Sequence, residues 1–196
     1  MLAPEDEPSV ADAVLYLMRH VHHGDVRFLE AFRDDTAAGT PVNAIAVLSR
    51  ADEVGGARLD ALQSAARIAD RYRSDPAVRR VCHTVVPVAG LLAQASSSLT
   101  EAEFRSLVRV AATEPAVLEE MLQSVDRVAD PDLAVGVSDL ERRHLLDRLG
   151  LFGLRLALDL LATGTVASSR ELADELRAAS GITRLREVLA RDVVSR

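Results

Sequence analysis

Apolar positions along this chain follow two rhythms, which change near residue 95. Before it, three largely apolar stretches of strand length stand apart: Asp12 to Arg19 (DAVLYLMR), Asn43 to Leu48, and Arg80 to Val88 (RVCHTVVPV). Pro87 suits a strand end, because proline donates no ladder hydrogen bond. Between the runs lie two amphipathic stretches. Asp25 to Arg33 sets Val26, Leu29 and Phe32 on one face behind Asp25 as N-cap. Arg58 to Arg73 sets Leu62, Ala66 and Ala69 on one face, with Leu59 and Ala65 beside it. Strands alternating with helices over long crossovers predict an α/β fold with a three-stranded parallel sheet. Ligands of such sheets bind beyond the carboxyl ends of the strands. Arg19 to His23, Ser49 to Asp52 and Val88 to Gly90 are therefore expected on one rim.

After Ala95 only the helical rhythm remains. Ser96, Ser97 and Ser98 read as a flexible linker. Thr100 and Glu103 have the spacing of a capping box, followed by Phe104, Leu107 and Val108. Glu114 to Val128 reads as one helix, ended by Asp130-Pro131. Asp139 to Leu161 reads as one long helix with Leu145, Leu149, Phe152, Leu156 and Leu160 on a stripe expected in the core. Ser169 to Ala179 and Ile182 to Val193 follow, parted by Gly181. The last pair has the outline of a helix-turn-helix, but its second helix carries both signs of charge.

Composition narrows the chemistry. Hydrophobic residues make up 48% of 196, enough for a sizeable core. A net charge of −7 argues against nucleic-acid binding by phosphate neutralisation. The single cysteine, Cys82, fits a reducing cytoplasm and reads as a small buried residue in mid-strand. His83 alternates to the other face, with no nucleophile or base beside it. Met1 is followed by Glu5, Asp6 and Glu7, which does not read as a signal peptide. All 23 basic residues are arginines. A phosphate loop of the GxxxxGK[ST] type needs a lysine, so none is expected here. His20, His22 and His23 invite zinc, but no cysteine or acid stands at a convincing spacing, and solvated histidines are the better account.

The most informative segment is VNAIAVLSRADE, Val42 to Glu53. An apolar strand ends in Ser49-Arg50-Ala51-Asp52, which puts a carboxylate just past the strand's carboxyl end. Such a carboxylate can accept both N1–H and the exocyclic amine of guanine, a donor pair that adenine lacks. The plainer alternative is a solvated loop acid that caps the next helix. Arg50 can lay its guanidinium along a purine ring or stand as a surface arginine. Ala89 and Gly90 can turn a backbone N–H toward guanine O6 or form an ordinary strand-to-helix turn.

Three segments, DAVLYLMRH, VNAIAVLSRADEVG and HTVVPVAGLLA, resemble the carboxyl-terminal half of a GTPase domain. With ERRHLLDRLGLFGLRLAL and SGITRLREVLARDV, they resemble most closely the actinobacterial isoniazid-inducible dynamin-like family. The resemblance implies part of a P-loop-GTPase-like parallel sheet over residues 1–112, then a helical extension over 113–196 leading toward a stalk. It implies a guanine site at Ser49, Arg50, Asp52, Ala89 and Gly90, with GTP or GDP as ligand. In the complete family magnesium is bound and GTP hydrolysis drives membrane remodelling. The chain departs from the pattern. No phosphate loop, switch threonine or Asp-x-x-Gly precedes Asp12, no magnesium ligands are visible, Ser49 replaces Asn or Thr, and Arg50 replaces lysine. The expectation is a fragment inactive in hydrolysis alone, cytoplasmic or at the inner membrane face, with no nucleic-acid partner. The strand Val14 to Leu17 is expected to need an amino-terminal GTPase half or a second copy as cover. The alternative is a non-enzymatic helical interaction module with a vestigial nucleotide site.

Overall fold

The computed structural model describes residues 13–19 and 43–194. The expected helix Asp25 to Arg33 and the three neighbouring histidines lie outside the described residues. Strands β1 (Ala13–Met18), β2 (Asn43–Ser49) and β3 (Thr84–Val88) form a parallel sheet in the order β1-β2-β3. Leu15 pairs with Ile45, and Ser49 pairs with Val88, so the carboxyl ends of β2 and β3 finish level.

β2 is apolar at every position from Ala44 to Leu48 and buried throughout, as expected of a central strand covered on both faces. Ala44, Ala46 and Leu48 point toward helix α1 (Ala61–Ser74), whose small residues Ala61, Ala65 and Ala69 are buried. Ala66, expected on that face, is exposed, because the buried stripe runs one residue earlier. Ile45 and Val47 point the other way, toward Val86 and Val88 of β3 and Leu185 and Val188 of the last helix. On β1 this second face carries Leu15 and Leu17, which are 43% and 64% exposed.

The third apolar run divides. Asp75 accepts a hydrogen bond from the Ala77 N–H at 2.8 Å, and Pro76 occupies the first turn. Together they start helix α2 (Pro76–Val81), which runs on through Arg80 and Val81, the first two residues of the expected strand. Cys82 is thus the residue that closes α2, not a mid-strand residue, although it is buried as expected.

Helix α3 (Gly90–Ser98) takes in the serines expected as a linker. Their hydroxyls donate to carbonyls one turn back, Ser96 to Ala93 at 2.7 Å and Ser97 to Gln94 at 2.7 Å. Helix α4 (Glu101–Ala111) opens with the Thr100/Glu103 capping box. The expected helix 114–128 breaks into α5 (Pro115–Met121) and α6 (Val125–Val128), with Ser124 capping the second. Helix α7 (Asp139–Ala162) is kinked at Gly150. Helices α8 (Ser169–Ala179) and α9 (Ile182–Val194) complete the chain.

Of the expected leucine stripe of α7, Leu145, Leu149 and Phe152 are buried in a core shared with Leu92 of α3, Leu107 of α4 and Leu172 of α8, whereas Leu156 and Leu160 are only partly buried. Farther along α7, Leu154, Ala157 and Leu158 are buried instead. Arg142 of α7 is buried too, and its guanidinium donates to the carbonyls of Val128, Val137 and Asp130.

Candidate functional site

The rim of the sheet gathers the residues that the motif singles out. Ser49 ends β2, and its hydroxyl donates to the Met18 carbonyl at 3.0 Å. It braces the ends of β1 and β2 against each other. Arg50 follows in the left-handed region at φ 54°, a costly conformation for a residue with a Cβ. That reversal allows Ala51–Glu53 to turn as a short 3-10 helix, closed by the Glu53 N–H bonding the Arg50 carbonyl at 3.0 Å. The Arg50 guanidinium is exposed and pairs with Glu53 at 2.8 Å, an exposed contact of small energy.

The turn draws Asp52 inward to 8% exposure. Burial raises its pKa from the ordinary aspartate value. Its own backbone N–H partly opposes this, Glu53 adds to it, and Arg50 weakly offsets it. No other described side chain hydrogen-bonds this carboxylate. It therefore has acceptor capacity that a ligand with two adjacent N–H donors could satisfy.

The third strand delivers Ala89 and Gly90. Ala89 is fully buried, and its N–H donates to the Ser180 carbonyl at 2.9 Å. Gly90 opens α3 with no side-chain cap, is exposed, and has open space where a Cβ would stand. The uncapped first turn, starting at Gly90, therefore presents unpaired N–H groups on the rim.

Two residues not singled out by the motif shape this region. Gly150 has φ 67° and ψ 173°, a conformation open essentially to glycine alone. A Cβ there would lie 3.3 Å from Leu91 Cδ2 and 3.9 Å from Asp52 Oδ2. The kink of α7 is thus the place where the turn after β2 and the helix after β3 meet. Arg155, farther along α7, donates to the carbonyls of Gly56 at 3.0 Å and Ala57 at 2.7 Å, in the loop that follows Asp52. An arginine and a glycine inside an apolar helix were the only sequence signals for either.

The arrangement offers a buried carboxylate acceptor, a neighbouring helix start with free donors, and an apolar wall at Leu91. That set suits a flat heterocycle bearing adjacent donors and a carbonyl. Among the described residues no group of three or more His, Cys, Asp or Glu side chains could together hold a metal ion. Among them also no helix is long and apolar enough to cross a membrane.

The chain is 37% identical over 172 residues to isoniazid-induced protein IniC of Mycobacterium tuberculosis, in the strains CDC 1551 and H37Rv. The match covers 86% of this chain and 34% of the relative, so the chain spans about a third of the length of these curated relatives. No family model and no solved structure matches the chain.

Proposed function

We propose, starting from the chain's membership of the isoniazid-inducible dynamin-like family, that it carries the base-reading part of a GTP or GDP site. Asp52 accepts the N1–H and exocyclic amine of guanine, and the Gly90 end of α3 donates to O6. Ser49 acts by bracing the strand ends, and Arg50 closes the rim over the base. Ala89 supports the turn through its bond to Ser180 rather than by offering its N–H. The observation that carries this reading is the buried Asp52 carboxylate, which no other described side chain satisfies, at the carboxyl end of a central parallel strand.

The phosphates have no lysine to meet in this chain. Phosphate and magnesium contacts, and GTP hydrolysis, therefore belong to a complementary amino-terminal half of a P-loop GTPase fold. Coupling to membrane remodelling at the inner face of the cytoplasmic membrane belongs to that complete assembly. The exposed Leu15 and Leu17 of β1 fit an arrangement in which this half, or a second copy, lies beside the strand.

The test is base selectivity in the chain together with its complementary half. Asp52→Asn replaces two acceptors by one acceptor and one donor. It should weaken GTP by about 1–3 kcal/mol, the cost of a lost buried partner. It should favour XTP, whose C2 carbonyl accepts the new amide donor. Competition of GTP, ATP and XTP measures this, and an unchanged ranking would rule the assignment out.

A second reading is a helical interaction module without nucleotide function. It is favoured by an open groove between α4 and α7, lined by Phe104, Val108, Leu161 and Val166 with Arg105 and Arg109 at its side. Nucleotide titrations that fail in the reconstituted assembly would favour it.

A further inference from the structure

We infer that Arg155 is a positioning residue of the base-reading loop, tying the segment after Asp52 to the corner between α5 and α6. The inference rests on the base-reading role proposed above and adds to it a residue of the helical region.

The loop after Asp52 packs Val54 and Ala57 against the cores on either side but has few hydrogen bonds of its own. Gly55, Gly56 and Ala57 have φ of 65°, 77° and 58°, three left-handed residues in succession. Such a run makes no helical ladder, and at Ala57 it strains a residue that has a Cβ. Within the loop the Gly56 N–H bonds the Glu53 carbonyl at 3.2 Å. The carbonyls of Gly56 and Ala57 are taken instead by Nη1 of Arg155.

The other side of the same guanidinium faces α5. Nε and Nη2 donate to the Leu122 carbonyl at 3.1 and 2.6 Å, and Nη2 also reaches Gln123 at 3.4 Å. Leu122 closes α5, where a cation also meets the negative end of the helix dipole. Among the described residues no carboxylate pairs with Arg155. All three nitrogens point at backbone carbonyls, and the planar fork fixes the distance between two chain segments. Lysine has no such fork.

Gly150 gives the other end of the brace. The kink sets the start of the second half of α7 against Asp52 and Leu91, and the helix then carries Arg155 out to the far end of the loop. One helical segment thus bounds the base-reading turn at its carboxylate and at its exit. Losing the fork should let residues 54–57 move and carry Asp52 out of register with the base.

The experiment compares Arg155→Gln and Arg155→Lys with the parent chain, in the reconstituted assembly with GTP and XTP as probes and Asp52→Asn as benchmark. Hydrogen exchange of the amides of residues 52–57 should rise about tenfold or more in Arg155→Gln, while those of β2 and β3 stay as they were. Preference for GTP over XTP should fall roughly three- to tenfold. Arg155→Lys should recover part of both effects. Unchanged loop exchange, or acceleration spread evenly over the sheet, would overturn the inference and leave Asp52 in its role. An Asp52→Asn variant with unaltered preference would instead overturn the site, and the inference with it.

Discussion

Gly181 lies flat against the carbonyl of Pro87, at φ 76°, and a Cβ in its place would overlap that oxygen. One residue earlier, the Ser180 carbonyl accepts the Ala89 N–H. The turn between α8 and α9 is therefore stitched to the end of β3 and aims α9 across the sheet. Gly181→Ala should destabilise the fold by about 3 kcal/mol, combining left-handed strain with a backbone overlap that cannot relax cheaply. Gly164 gives the control. It has φ 68° and open space around it, so Gly164→Ala should cost only about 1 kcal/mol. Urea unfolding of both variants measures the difference, and equal losses would show that the Pro87 contact is not tight.

Helix α9 covers Ile45, Val47, Val86 and Val88 with Leu185 and Val188. A chain ending at Ser180 should therefore bind a hydrophobic dye and associate, because it bares the second face of a central strand. Light scattering with dye fluorescence checks this. A monomeric, dye-silent truncation would mean that α9 is dispensable to the sheet.

Glu103 is a buried carboxylate, and burial alone would push its pKa up. Hydrogen bonds from the Thr100 backbone, Arg148 and the Thr100 hydroxyl, with the charge of Arg148, outweigh that and hold it at about 2. Arg148 Nε stands at 2.7 Å and His144 Nε2 at 3.1 Å. A depressed carboxyl pKa stabilises the fold above the unfolded value, and this is lost as pH falls from there through about 2. The loss should be on the order of 2 kcal/mol, after discounting for solvent near the pair. Denaturant titrations between pH 5 and 2.5 should show a steeper decline for the parent than for Glu103→Gln. Parallel profiles would remove Glu103 from the account.

Asp52 has the opposite sign. Burial raises its pKa, so its ionisation destabilises the fold as pH rises through the carboxylate range. Without ligand, Asp52→Asn should raise the melting temperature at pH 7, and the gain should shrink at pH 3, where the parent is protonated. A lower melting temperature at pH 7 would mean that the charge is satisfied within the protein. Stability given up at a residue with unfilled acceptors is expected of a binding site.

What could be read from the residues alone was what neighbouring residues decide. The all-apolar run Ala44 to Leu48 announces a strand covered on both faces, and it is one. Thr100 and Glu103 meet within a single turn, so their capping box was legible. Parallel pairing and the rim shared by Ser49 to Asp52 and Val88 to Gly90 followed from alternation and chain direction. The motif Ser49 to Asp52 pointed to the turn after β2, where a carboxylate is indeed drawn inward.

The rest depended on groups far apart in the chain. Ser96 to Ser98 look like a linker until their hydroxyls bond back into α3, which hides their polarity. Val78 and Val81 suit a strand as well as a helix, and Asp75 with Pro76 tips them to helix. The kink at Gly150 has meaning only because Leu91 and Asp52 arrive beside it from other elements. The arginine at 155 reads as a solubilising residue on an apolar helix until the loop at Gly56 and the end of α5 converge on it. Apolar spacing records that a face is buried but not which partner buries it, because hydrophobic burial is non-directional. The sequence by itself therefore determined the sheet strands, the capped helices and the rim. Tertiary packing decided that α9 covers the sheet and that α7 borders the candidate site, since those choices rest on close backbone approach and long-range hydrogen bonds.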